Sequence, residues 1–156
     1  MYIHEICLVK IEYELQTGNF RNEQHKATLN ILFTAYAIQR DFADKLKPFG
    51  ITPEQYNVLR ILKGKFPQSI CVRDIRSRMI ERSSNVPRIL DRLEGKGYIR
   101  RERSESDGRE TLVCLTNEGQ KFLEKLTGFL EHEERTLPIS EAEAWALNEL
   151  LDKCRD

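Results

Sequence analysis

No stretch of this 156-residue chain is both long and apolar, and nothing approaches the ~20 residues that a bilayer-spanning helix requires. No apolar signal-peptide core follows a basic segment near Met1, so no membrane association and a cytoplasmic location are expected. Cysteine is sparse. Cys7, Cys71, Cys114 and Cys154 lie far apart without a C-x-x-C pair, which excludes a zinc framework and a secreted disulfide scaffold and favours a reducing compartment. A glycine-rich phosphate loop, a nucleophile elbow and a His/Glu metal spacing are all missing, so neither an enzyme nor a cofactor or resident metal is expected. Internal repeats and low-complexity segments are absent too. So is an excess of one charge: 25 Lys plus Arg face 25 Asp plus Glu, and net charge alone does not announce a nucleic-acid partner.

The distribution of charge is more informative than its sum. Val72 to Thr116 carries 11 Lys plus Arg against 8 Asp plus Glu, net +3, whereas Asn117 to Asp156 carries 5 against 10, net −5. Ten of those eleven cations are arginines, the side chain whose planar fork suits phosphates and base edges. Within that basic stretch, Val72, Ile75 and Met79 share one face of a helix that turns Arg73, Arg76 and Arg78 outward. A turn over Ile80 to Ser83 follows. Ser83 or Ser84 can then cap a second helix with Val86, Ile89, Leu90 and Leu93 on its apolar face and Ser84, Asn85, Arg88 and Arg92 opposite. Gly95 and Gly97 end it. Tyr98 to Arg103 and Arg109 to Leu115 read as the two strands of a hairpin, with Ser104 to Gly108 at its tip. Helix, turn, helix and ribbon together make a winged helix-turn-helix.

Helices flank this unit. Met1 to Leu15 can form a short one. Asn22 to Lys47 is free of Gly and Pro and places Ile31, Ala35, Ile38, Phe42 and Leu46 near one seam, with Leu29, Leu32 and Tyr36 beside it. That surface is wide for a small domain and fits packing on a second subunit as well as on its own. Thr52, Pro53 and Gln55 form a capping-box start for the next helix, and Pro67 to Cys71 is a connector that can supply a third strand. Thr116 can cap a helix striped by Phe122, Leu123, Leu126, Phe129 and Leu130. Ser140 with Glu143 caps a final one, whose apolar side is Trp145 or Ala146, Leu147, Leu150, Leu151 and Cys154.

The run Asp107, Gly108, Arg109, then Val113, Leu115 and Thr116, resembles the D-x-R-x-x-x-V-x-L-T wing signature of the MarR family of transcriptional regulators. Arg88 to Arg101, RILDRLEGKGYIRR, resembles the recognition helix and first wing strand of the same family, in register. There are two departures: Pro87 stands where the family usually has a DNA-touching Ser or Thr, and Arg76 where it has a small alanine. The resemblance implies a mainly α fold with a small antiparallel β-wing, in one domain over 1–156. Residues 51–116 would form the DNA-binding lobe, and 1–50 and 117–156 the helical dimerisation region. It implies a homodimer on double-stranded DNA, more readily a repressor than an activator, with a palindromic operator. The positions implicated are Arg82, Ser84, Asn85, Pro87, Arg88, Arg92, Asp107 and Arg109, with Arg109 entering the minor groove and Asp107 orienting it. Signals that could release the operator are a small aromatic effector near Tyr36 or Phe42, oxidation at Cys7, or a metal at His132 with Glu133 or Glu134. The competing class is a winged helix kept as a protein-interaction module without specific DNA binding.

Overall fold

The computed structural model describes residues 9–82, 85–104, 110–133 and 137–155. It is mostly helical with one small antiparallel sheet, and it divides into two compact units, Met1–Tyr56 and Asn57–Asp156.

In the first unit, α1 (Ile11–Glu14) is a single turn, shorter than the helix expected over Met1 to Leu15; residues 1–8 lie outside the described ones. Lys26 reaches back from α2 (Glu23–Leu46) to Glu12 at 2.5 Å. Asn22 starts α2, its side-chain oxygen accepting from the His25 amide at 2.8 Å, because the first turn of any helix has amides without internal partners. The helix passes into a short 3-10 turn, Lys47–Phe49, and Gly50 takes the left-handed φ of 65° that closes it. Then α3 (Pro53–Lys63) opens with the expected capping box: the Gln55 amide donates to Thr52 Oγ1 and the Thr52 amide to Gln55 Oε1.

The second unit contains the sheet. β1 (Ile70–Cys71) leads directly into α4 (Val72–Arg78), then α5 (Val86–Gly95) and the wing strands β2 (Ile99–Arg103) and β3 (Thr111–Leu115). The sheet order is β1-β3-β2, with Ile70 opposite Val113 and Ile99 opposite Leu115. The connector thus supplies the third strand. As the central strand β3 is covered on both faces, so Val113, Cys114 and Leu115 are all buried despite their alternation. The core joins Ile75, Val86, Leu90, Leu93 and Val113 to Leu123 and Leu126 of α6 (Asn117–Glu133), each leucine contributing about 1.5–3 kcal/mol through burial.

The start of α6 is joined to the base of the wing. Thr116 Oγ1 donates to the Gly97 carbonyl at 2.7 Å and accepts from the Gly119 amide at 3.0 Å. A Cβ on Gly119 would stand 2.0 Å from the Tyr98 carbonyl oxygen, so only glycine permits this approach. The Tyr98 and Phe122 rings stack beside it, 4.2 Å apart and 14° from parallel. Last comes α7 (Glu141–Lys153), opened by the expected Ser140–Glu143 capping box.

Candidate nucleic-acid interface

The recognition helix is built by contrast between its two faces. Val86, Leu90 and Leu93, at i, i+4 and i+7, are buried, while Asn85, Pro87, Arg88, Asp91 and Arg92 are exposed on the other side. Its cap is Asn85. The serines stand too early to serve, because the helix begins at Val86 and it is the Asn85 side-chain oxygen that accepts from the Arg88 amide at 3.3 Å. Ser83 and Ser84 lie outside the described residues. Pro87 occupies the first turn, where its missing N–H costs no bond. Asn85 thereby commits its carbonyl oxygen to the helix and keeps its amide N–H groups for an acceptor outside.

The turn before α5 is held by an outside tether. The Ile80 amide donates to Asn57 Oδ1 at 3.1 Å, fixing the segment between α4 and α5 to α3. Arg82 is exposed beyond it, and among the described residues no carboxylate takes up Arg82, Arg88 or Arg92. Neither Asp91 nor Glu94 pairs with Arg92 of their own helix. Both carboxylates turn instead to Arg101 on β2, which lies across the helix edge they share. Glu94 accepts from the Arg101 backbone amide at 3.0 Å and from Nε at 2.9 Å, and Asp91 from Nη1 at 2.8 Å. The guanidinium holds the Glu94 carboxyl below the usual carboxylate range, and the same hydrogen bonds raise Arg101. On the opposite face of β2, Arg100 Nε sits 2.8 Å from Cys114 Sγ, and Glu102 accepts from Ser69 Oγ at 2.7 Å.

The wing is described up to its shoulders, where the Ser104 amide donates to the Glu110 carbonyl at 3.0 Å. Asp107 and Arg109 lie outside the described residues, as does Cys7. Tyr36 is 65% exposed on α2, while Phe42 of the same helix meets the Tyr56 ring edge-on at 5.4 Å, so the two effector candidates are not brought together. A cleft of about 380 Å³ lies elsewhere, lined by Cys71, Arg73, Pro87, Leu90, Arg101 and Glu110 among others. Among the described residues no cluster of three metal-ligating side chains occurs, and no helix is long and apolar enough to cross a membrane.

The MarR family model matches residues 51–111, the stretch that runs from α3 through the recognition helix into the wing. Over that stretch the chain is similar to the MarR family. It is similar to MgrA of Staphylococcus aureus, an HTH-type transcriptional regulator, at 28% identity over 137 residues, 85% of this chain and 92% of that one. With the HTH-type transcriptional regulator YkoM of Bacillus subtilis it shares 34% identity over 80 residues, about half the length of each, 51%. Among solved structures, a cysteine mutant of MarR from E. coli complexed with operator DNA matches with a TM-score of 0.75 and 26% identity. That match covers 88% of this chain and 99% of the other. These relatives are regulators, not enzymes. What inspection of the MarR-like motifs missed is the Arg101 bridge and the Asn57 tether. Each joins residues from separate segments, and the spacing of charges within one segment carries no signal for either.

Proposed function

We propose that this MarR-family DNA-binding transcriptional regulator acts in the cytoplasm as a homodimeric repressor, gripping an imperfectly palindromic operator and releasing it on a small-molecule or redox signal. The observation that carries the reading is the outer face of α5. An exposed Arg88 and Arg92 with a capping Asn85 stand on a helix whose other face is closed into the core, beside a two-stranded wing. A helix so mounted can enter a major groove with its first turns against base edges. Ser84, Asn85 and Arg88 read bases there, and Arg88 in a two-bond contact to guanine supplies about 1–3 kcal/mol of discrimination. Arg82 and Arg92 hold phosphates, and Pro87 gives an apolar contact in place of a hydroxyl. Arg109, oriented by Asp107, enters the minor groove.

Residues 51–116 serve as the DNA-binding lobe, and 1–50 with 117–156 as the dimerisation region. Support for two copies comes from apolar side chains left in water: Leu32 is 62% exposed and Tyr36 65% on α2, Trp145 68% and Leu150 60% on α7. A two-fold dimer then sets half-sites about one duplex turn apart. An effector at Tyr36 or Phe42, or oxidation at Cys7, would shift the population toward a dimer whose helices no longer match that spacing.

The test is binding to DNA upstream of the protein's own gene over a salt series, with Arg88→Ala and Arg109→Ala beside the native chain. Selective binding whose log-affinity slope steepens by ~0.9 per neutralised phosphate, weakened by both substitutions, is the expected outcome. Binding without sequence preference, indifferent to either change, would point instead to a protein-interaction module.

A further inference from the structure

A recognition helix and a wing read DNA together only when held at one mutual angle, and one side chain spans the gap between them. We propose that Arg101 is the positioning residue that sets the wing against the recognition helix, acting through Glu94 and Asp91 and not by touching DNA. The inference rests on the DNA-binding reading above.

Asp91 and Glu94 are three residues apart on α5, so their carboxylates emerge from the same edge of the helix, one above the other. Arg101 is the middle residue of β2, opposite Val113 of the central strand. Its fork meets Glu94 Oε2 through Nε at 2.9 Å and Nη2 at 2.5 Å, and Asp91 Oδ1 through Nη1 at 2.8 Å. Glu94 Oε1 takes the Arg101 backbone amide as well, at 3.0 Å, so strand and side chain are both tied to the helix. A rigid planar fork with contacts on two carboxylates fixes direction as well as distance, which a lysine ammonium would not do.

The neighbouring arginines of the strand are placed differently. Arg100 is 69% exposed and leans on Cys114, on the other face of β2. Arg101 also cancels two negative charges on the helix that carries Arg88 and Arg92. Left alone, Asp91 and Glu94 would repel the phosphates that those arginines approach.

The experiment uses the full chain and an operator recovered by selection from random duplexes with the native protein. Operator affinity is measured for Arg101→Met, for Arg101→Lys, and for Arg101→Met in an Asp91→Asn/Glu94→Gln background, with hydroxyl-radical protection mapped for each. Arg101→Met is expected to weaken binding about tenfold, the size of coupling common within one ion-pair network. It should remove protection at the wing's minor-groove position while the centre of each half-site stays protected. Arg101→Lys should recover part of the loss, and in the doubly neutralised background Arg101→Met should cost much less. A loss of equal size in both backgrounds would make Arg101 a direct phosphate contact and overturn the proposal, as would native affinity and protection in Arg101→Met. If Arg101→Met does not fold, the wing protection of Asp91→Asn/Glu94→Gln decides: retained, it overturns the proposal; lost, it supports it. A native chain that selects no sequence would overturn the DNA-binding reading itself, and this inference with it.

Discussion

Two capped amphipathic helices of the same structural unit, α5 and α7, meet different surroundings. The first buries Val86, Leu90 and Leu93 completely. The second, three residues longer and better capped, buries none of its residues and leaves Trp145, Leu147 and Leu150 exposed. Periodicity and a cap are enough to make a helix, but a complementary surface is needed to bury one. A helix of 13 residues is marginal alone in water. An apolar face of this kind is what the proposed second subunit covers. The same contrast recurs in α2, where only Leu46 of 24 residues is buried while Ile31, Leu32, Tyr36 and Ile38 face out.

The contrast can be broken most strongly from the closed side. Leu93→Ala should cost about 2–5 kcal/mol of unfolding free energy, read as a lower urea midpoint, because the fully buried site cannot collapse around the missing atoms. From the open side, Trp145→Glu with Leu150→Glu should leave the folded subunit intact by circular dichroism. It should raise the dimer dissociation constant about a hundredfold in sedimentation, the effect expected of a lost aromatic anchor. Equal loss of fold in both variants would erase the distinction.

Smaller changes sharpen it. Asn85→Ala removes the cap of α5 and should lower global stability by about 1 kcal/mol, whereas Ser140→Ala should show only as faster amide exchange within α7. Glu94 provides a pH probe on the closed side. Its carboxyl is held below the usual range chiefly by the Arg101 guanidinium, so its stabilisation is complete above the ordinary glutamate range and is lost as pH falls through the depressed folded value. Glu94→Gln should flatten that acid limb of the stability curve, seen as a midpoint less sensitive to acid. Lys47→Met, which breaks an exposed pair with Asp44, should change neither midpoint nor oligomeric state measurably.

Much of the local structure was legible from residue order. The capping boxes at Thr52 and Ser140, the end of the long helix near Lys47 and the glycines that close α5 all arise from contacts within a few residues. The candidate site was legible where motif and face coincide, as at Arg88 and Arg92. It was less so at Asn85: a string of polar residues before a helix offers several caps, and backbone placement chooses among them. The partner of Asp91 and Glu94 was not legible, because the cation nearest to them in sequence, Arg92, is not the one they take. Adjacent helical residues point away from each other, and a strand residue ten positions after Asp91 and seven after Glu94 supplied the guanidinium instead.

The sequence by itself determined the order of elements, the outward arginines of the recognition helix, and the resemblance to a family, since each depends on short-range periodicity, capping and motif spacing. Only the tertiary structure decided which apolar faces close and which stay open, that Gly119 must lie against the Tyr98 carbonyl, and that Arg101 belongs to the helix rather than to solvent. Those outcomes depend on the crossing of segments remote in the chain, where a cavity, a clash or a paired charge exists only once both sides are in place.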